Sequence, residues 1–186
     1  MLDAERPRGR DAAEKQNKHD NFGLSMNIHA AAPMDLSEIL ALLKSTDLPV
    51  AGIEQHVAAT LVARDSGRLV GCAAVEIYGV AGLLRSVAVA RDQRGAGLGR
   101  RLTEAALDLA RRRGVRDIYL LTTTAENFFP RFGFVPIPRD QLDPALGRSE
   151  ELRGACPASA VAMRANLSTS SPFSRQSSAA PPAPRR

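Results

Sequence analysis

The sequence predicts a mixed α/β domain. Short segments of alternating apolar residues, separated by Gly-containing turns, supply the strands. Segments with apolar residues at helical spacing supply the helices. Their order, β-α-α-β-β-β-α-β-α-β-β, lacks the regular strand–helix alternation of a doubly wound sheet. With 186 residues and 44% of them hydrophobic, the chain can build the core of one ordinary domain with tails to spare.

Residues 1–25 are polar and charged without a sustained apolar period and are expected to be disordered. "MNIHAAA" then alternates like a strand, so the folded unit is expected to begin at Met26. Between Asp35 and Thr46, Leu36, Ile39, Leu40 and Leu43 fall at helical spacing behind Pro33. "GIEQHVA" suggests a shorter second helix. "ATLVARDSGRLVGCAAVEIYG" predicts two strands about a turn at Ser66-Gly67, and "GLLRSVAVA" a third. From Leu98 a helix follows, with Leu102, Ala105, Ala106 and Leu109 on one face and Arg101, Glu104, Asp108 and Arg112 on the other. Arg111-Arg112-Arg113 suits its negative end, and Gly114 its cap. "DIYLLT" predicts a strand, and "TAENFF" the start of another helix. "FGFVPI" and "SAVAMRANL" predict the last two strands. "STSSPFSRQSSAAPPAPRR", rich in Ser, Pro and Ala, cannot form a core, so the domain is expected to span residues 26–167 with a disordered tail at 168–186.

The net charge of +5 is misleading until it is located. The first 25 residues carry as many acids as bases. Arg175, Arg185 and Arg186 supply three charges in the tail, which leaves two for the folded part. So small a surplus does not by itself argue for a phosphate-binding surface, and no nucleic-acid partner is expected. Cys72 and Cys156 make no disulfide framework and fit no metal spacing. No apolar run approaches transmembrane length, and no secretory stretch opens the chain, so a soluble cytoplasmic protein is expected, monomer or homodimer.

Residues 91–102, "RDQRGAGLGRRL", place three glycines between the strand "LLRSVAV" and an amphipathic helix. Glycine costs backbone entropy, so three at a helix start need a reason. A helix start presents unpaired N–H groups and the positive end of the dipole. Without Cβ atoms a polyanion can approach that backbone closely, and Arg94 and Arg100 add charge at the rim. The stretch is best explained as a pyrophosphate cradle, although a tight turn would also use glycines. It is neither the dinucleotide G-x-G-x-x-G nor a P-loop, since Arg100-Arg101 stand where Lys-Ser/Thr is required.

Here the sequence resembles the GNAT superfamily of N-acetyltransferases. Arg94, Gly97 and Gly99 match its Arg/Gln-x-x-Gly-x-Gly/Ala signature, and Val87-Ala88-Val89 precedes it as the family's strand does. "TTTAENFFPRFGF" matches the later segment that ends in Gly-Phe. The resemblance covers about residues 26–167. It implies the GNAT fold, a mostly antiparallel sheet that splays after the signature strand, with acetyl-CoA as cosubstrate and no metal. Val87, Ala88 and Val89 would then bond the pantetheine arm. Arg94, Gly95, Ala96, Gly97, Leu98, Gly99 and Arg100 would hold the pyrophosphate, and Asn127 would approach the coenzyme from the next helix. One departure stands out. The Tyr that protonates the leaving thiolate in many members is Phe129 here, and Pro130 interrupts the helix pattern beside it.

"YGVAGLLRSVAV", "LLTTTAENFF" and "CPASAVAM" are similar to the N-acetyltransferases of bacterial arsenic-resistance clusters, and the second of these also to amino-acid acetyltransferases. This implies a small, carboxylate-bearing amine as acceptor, an amino acid or a glutamate-like toxic analogue. An amine must lose a proton before it attacks, and Glu76 is a candidate base acting through water, or else a solvated strand-end carboxylate. Arg85, mid-strand among apolar residues, could clamp a carboxylate or pair with Glu76; it shares the strand parity of Val87 and Val89 unless a bulge intervenes. Arg139, Arg148 and Arg153 are weaker carboxylate candidates. Tyr78, Ser86 and Thr122 could border the acceptor, while "TTAE" at 123–126 also fits a capping box. Cys156 is a soft ligand, but a lone thiol makes a poor arsenic site. Two rivals remain: an acetyl-CoA sensor without turnover, and acetylation of a protein or an aminoglycoside.

Overall fold

Seven strands form one sheet, in the order β1-β2-β3-β4-β5-β7-β6, in a computed structural model that describes residues 27–168. The strands are β1 (Asn27–Ala30), β2 (Thr60–Asp65), β3 (Arg68–Tyr78), β4 (Ala81–Val89), β5 (Asp117–Thr122), β6 (Val135–Ile137) and β7 (Val161–Asn166). Every neighbouring pair is antiparallel except β4–β5. The mixed, mostly antiparallel sheet is thus the one expected. The residues expected to be disordered, all but Ser168, and the domain start at Met26 lie outside the described residues.

Among the described residues, two α-helices cover the sheet, one on each face. Helix α1 (Leu36–Ser45) buries Ile39, Leu42 and Leu43 against Val62, Leu69, Cys72, Ala74 and Ala88. Arg64 fixes its start, reaching Asp35 at 2.6 Å and Glu38 at 2.7 Å. Helix α2 (Leu98–Arg112) buries Leu98, Leu102, Ala106 and Ala110 against Val70, Ala73, Val75 and Leu84. It lies so close to β3 that a Cβ on Gly71 would stand 2.7 Å from Leu102 Cδ1. The predicted hairpin turn has Ser66 and Gly67 at φ 50° and 85°, as the right-handed twist of its strands requires.

Two predicted helices are replaced by tighter turns. "GIEQHVA" is a 3₁₀ segment, Ile53–Ala59, of which only Ile53 and Ala59 are buried, so no apolar stripe supports an α-helix. "TAENFF" starts no helix. Thr122 Oγ1 accepts from Ala125 N at 3.0 Å and closes a turn, so the hydroxyl that caps is Thr122, and the capping box expected from Thr123 and Glu126 does not form. A 3₁₀ turn, Phe129–Phe132, follows. Pro130 stands in its first two positions, where an N–H has no helical acceptor in any case, which accounts for a proline the sequence left unexplained.

The feature that positions the site is a short ladder. β4 and β5 pair only at Ala81–Asp117, Gly82–Ile118 and Leu83–Tyr119. From Leu84 onward the edge of β4 that faces β5 has no strand beside it. The sheet splays there.

Candidate active site

A cleft of about 680 Å³ opens in the splay. Leu84 to Val89 form one wall and Leu120 to Ala125 the other. Arg94, Gly99, Phe128 and Phe129 line the end beside α2, while Thr46–Pro49 and the loop that holds Glu151 and Cys156 line the opposite end. The two ends lie toward opposite faces of the sheet.

At the α2 end the geometry favours an anion. Gly95 and Gly97 have φ of 85° and 80°, so the backbone itself asks for glycine there. Gly99 differs. It is helical, and a Cβ on it would have only ordinary neighbours, Val89 Cγ2 at 3.6 Å and Phe128 Cζ at 3.9 Å. The chain's own packing does not require this glycine, whereas a ligand lying against the helix start would. The helix has no side-chain cap and no acid in its first turn, and Arg100 and Arg101 stand there against the dipole. The first bond into the helix is Arg101 N to Gly97 O, which leaves the N–H groups of Leu98, Gly99 and Arg100 without an intrahelical acceptor. Arg94 donates Nε to Val89 O at 3.1 Å and is otherwise exposed. Leu98 itself is core, Arg100 pairs with Glu104 at 3.2 Å, and Ala96 is exposed. Asn127 is exposed on a turn and is not among the residues that line the cleft.

A bulge in β4 decides what faces what. Between the pairs Cys72–Ala88 and Ala74–Arg85 the register shifts by one residue, and Ser86 sits in the extra position at φ 55°. Val87 and Val89 therefore pack toward α2, whereas Arg85, opposite Ala74, faces the α1 side. The shared parity expected from the sequence does not hold. Ser86 is buried, its Oγ 3.3 Å from Arg85 Nε, and its carbonyl accepts from the Cys72 thiol. Burial pushes that thiol up to about 12, which removes it from nucleophilic chemistry near neutrality.

Arg85 is not a bare clamp. Its Nη1 donates to Glu76 Oε1 at 2.6 Å, and its Nη2 lies 2.8 Å from Glu151 Oε1. The second approach is a charge contact without hydrogen-bond alignment, because Nη2 has no bond of good geometry. Glu76 is neither solvated nor in the cleft, as a base acting through water or a strand-end carboxylate would be; it forms the ion pair with Arg85 that is the alternative to a carboxylate clamp. It is fully buried, takes a bond from the Tyr78 hydroxyl at 2.6 Å, and has His56 Nε2 at 3.7 Å. Burial raises its pKa, but bonds from Tyr78, Arg85 and Ser149 outweigh that and hold it below the usual carboxylate range. Burial and the Glu76 bond push Tyr78 up to about 12, and this tyrosine points at Glu76 rather than bordering the cleft. Thr122 does line it, with its hydroxyl engaged by Ala125 N.

Glu151 was not among the residues singled out in the sequence. It sits in the loop before β7, where no period marks a carboxylate as buried, and the polar run "GRSEELRG" reads as surface. Only the tertiary contact with Arg85 reveals it. Arg139 bonds the carbonyls of Pro157 and Ala160, and Arg153 that of Gly147; neither lines the cleft, nor does Arg148. Phe129 packs edge-on to Phe128 and Phe134, with its ring at the cleft wall. Among the described residues, no helix is long and apolar enough to cross a membrane.

Residues 56–136 match the acetyltransferase (GNAT) domain family. Over 100 residues, 53% of the chain, it is 32% identical to an uncharacterized N-acetyltransferase of Chlorobaculum tepidum, of which the match spans 64%. Over 48% of the chain it is 34% identical to an amino-acid acetyltransferase of Ralstonia nicotianae, of which it spans 20%. The chain thus covers less than two thirds of either relative. The fold superposes with a TM-score of 0.66 and 23% identity on N-acetylglutamate synthase from Neisseria gonorrhoeae complexed with coenzyme A and N-acetyl-glutamate, over 76% of this chain and 35% of that one. A Mycobacterium tuberculosis protein in complex with CoA superposes at 0.62 with 20% identity, over 75% and 98% of the two chains. The sheet with its splay is the GNAT fold, and the open edge of β4 and the start of α2 both fall within the stretch that matches the acetyltransferase (GNAT) domain family.

Proposed function

We propose that the protein is an acetyl-CoA-dependent N-acetyltransferase whose acceptor is a small, carboxylate-bearing amine. The observation that carries the reading is the open edge of β4 leading to an uncapped helix start, with Gly99 left free of a side chain that the protein could accommodate. Those features suit a coenzyme with an amide-bearing arm and a pyrophosphate. The backbone of Val87 to Val89 would bond the arm like an added strand, and Arg94 with the N–H groups from Gly95 to Arg100 would hold the phosphates. When bound, acetyl-CoA supplies an activated acyl group; the chain's part is to align it, exclude water and accept a proton. Backbone N–H groups near the bulge at Ser86 would face the carbonyl oxygen as it gains charge. Phe129 offers no proton, so the thiolate leaves by way of water.

Relatives that are amino-acid acetyltransferases, and a structural neighbour bound to N-acetyl-glutamate, support an amino acid as acceptor. Its carboxylate would share the Nη2 face of Arg85 with Glu151, since Arg85 borders the cleft and that nitrogen lacks an aligned bond. A glutamate-like organoarsenical belongs to the same chemical class. Acetyl-CoA as donor also fits a cytoplasmic enzyme. A second reading, a sensor that binds acetyl-CoA without turnover, rests on Phe129 in place of the usual acid.

The test is thiol release from acetyl-CoA with the twenty protein amino acids, a glutamate-like organoarsenical, an aminoglycoside and spermidine. Amine-dependent release, greatest with an amino acid or its analogue, is expected. Tight acetyl-CoA binding with no release for any amine would establish the sensor instead.

A further inference from the structure

Two carboxylates flank the Arg85 guanidinium, and only one of them borders the cleft. Glu76 is fully buried, does not line the cleft, and has its oxygens engaged by Tyr78 and Arg85. Glu151 lines the cleft, with a side chain only 7% exposed, and its one ionic partner approaches without hydrogen-bond alignment. Arg85 is neutralised from behind by Glu76, so the net charge at this end of the cleft belongs to Glu151 and to Asp47, which lines the same end. An ammonium entering between Thr46–Pro49 and the Glu151 loop meets an acidic wall.

We infer that Glu151 is the carboxylate that takes a proton from the acceptor ammonium, with Arg85 and Glu76 as the pair that positions it. The assignment rests on the N-acetyltransferase reading above and replaces Glu76 as the base. One proton passes from the ammonium to a Glu151 oxygen. The freed nitrogen pair forms the C–N bond to the acetyl carbonyl carbon. The C–S bond breaks, its electron pair leaves with sulfur, and the second amine proton ends on the thiolate by way of water. Glu151 then returns its proton to solvent through the open cleft.

The electrostatics agree with the geometry. Burial pushes the Glu151 carboxyl up, against the pull of Arg85, and the nearby charge of Glu76 adds to the rise. A base works best when its pKa approaches the working pH. The groups facing it are Arg85 from β4, Glu76 and Tyr78 from β3, His56 from the 3₁₀ segment beyond Glu76, and Cys156 and Ser149 from its own loop. Of these, Glu76 is held ionised, while burial keeps Tyr78 and Cys156 protonated near neutrality.

The experiment measures kcat/KM against pH for the full chain, its E151Q and E151D variants, and E76Q. The acceptor is whichever amine of the panel above gives the fastest thiol release, and acetyl-CoA affinity is read in parallel by calorimetry. Wild type should show a rising limb at a pKa above the ordinary carboxylate range, besides the limb of the amine's own ionisation. E151Q should lose that limb and about 10²- to 10⁴-fold in rate, with acetyl-CoA affinity unchanged. E151D should keep the limb at a shifted position, which covers the case in which E151Q does not fold. E76Q should retain it. A limb present and unmoved in both Glu151 variants, or one that disappears in E76Q alone, would overturn the assignment. Wild type that binds acetyl-CoA yet releases thiol with no amine would overturn the enzyme reading, and this assignment with it.

Discussion

Arg85, at the cleft wall, holds its Nη1 2.6 Å from Glu76 Oε1, which lies behind it away from the cleft, and both side chains are almost closed to water. A guanidinium in the middle of a buried strand requires such a partner, because removing one member of a buried pair leaves a charge with no compensation. Glu76→Ala should therefore lower stability by about 3–5 kcal/mol. Urea denaturation checks this: the midpoint should fall while the m-value stays constant.

The two carboxylates on Arg85 should also give opposite pH signatures. Glu76 has a lowered folded pKa, so its stabilisation is complete above the ordinary carboxylate value and is lost as pH falls through the lowered one. Glu151 has a raised folded pKa, so its contribution is complete below the ordinary value and is lost as pH rises through the raised one. Urea midpoints across pH should thus show less acid-side loss in E76Q and less loss on the ascending side in E151Q. Identical profiles for both variants and wild type would contradict the network.

Gly99→Ala separates fold from ligand. Alanine in place of glycine inside a helix is worth roughly 0.8–1 kcal/mol, and the added Cβ has room, so the melting temperature should rise. Acetyl-CoA affinity should nevertheless fall: forcing a methyl into a packed contact costs about 1–3 kcal/mol, roughly ten- to hundredfold in Kd. Calorimetry on both proteins decides it. A stabilised variant with unchanged affinity would remove the coenzyme from the helix start.

Much of the fold is legible in the sequence. The Ser66-Gly67 turn, the α2 stripe and the Gly95–Gly99 spacing are local signals, each carried by residues adjacent in sequence. The part that was not legible depends on register. One extra residue at Ser86 turns Arg85 to the face opposite Val87 and Val89, and no propensity marks a serine for φ 55°. Glu151 meets Arg85 across 66 positions of chain, through a loop without periodicity. The helix expected at "TAENFF" failed because Thr122 closes a turn there and Pro130 follows it.

Arg85→Lys tests the acceptor class. A lysine cannot reproduce a planar two-point contact, so preference for an amino acid over its amide should fall about ten- to hundredfold, equivalent to the 1.5–3 kcal/mol of a charged hydrogen bond. The ratio of kcat/KM for acid and amide, in wild type and variant, measures it. Equal treatment of acid and amide by wild type would mean that Arg85 serves only to hold Glu76 and Glu151.

The proposed coenzyme site is the open edge of β4 together with the start of α2. Amide hydrogen exchange of the full chain, with and without acetyl-CoA, tests it most directly. Protection should appear at Val87–Val89 and across Gly95–Arg100, with little change in β1, β2 or α1. Protection absent from both of these segments while acetyl-CoA is bound would contradict the account.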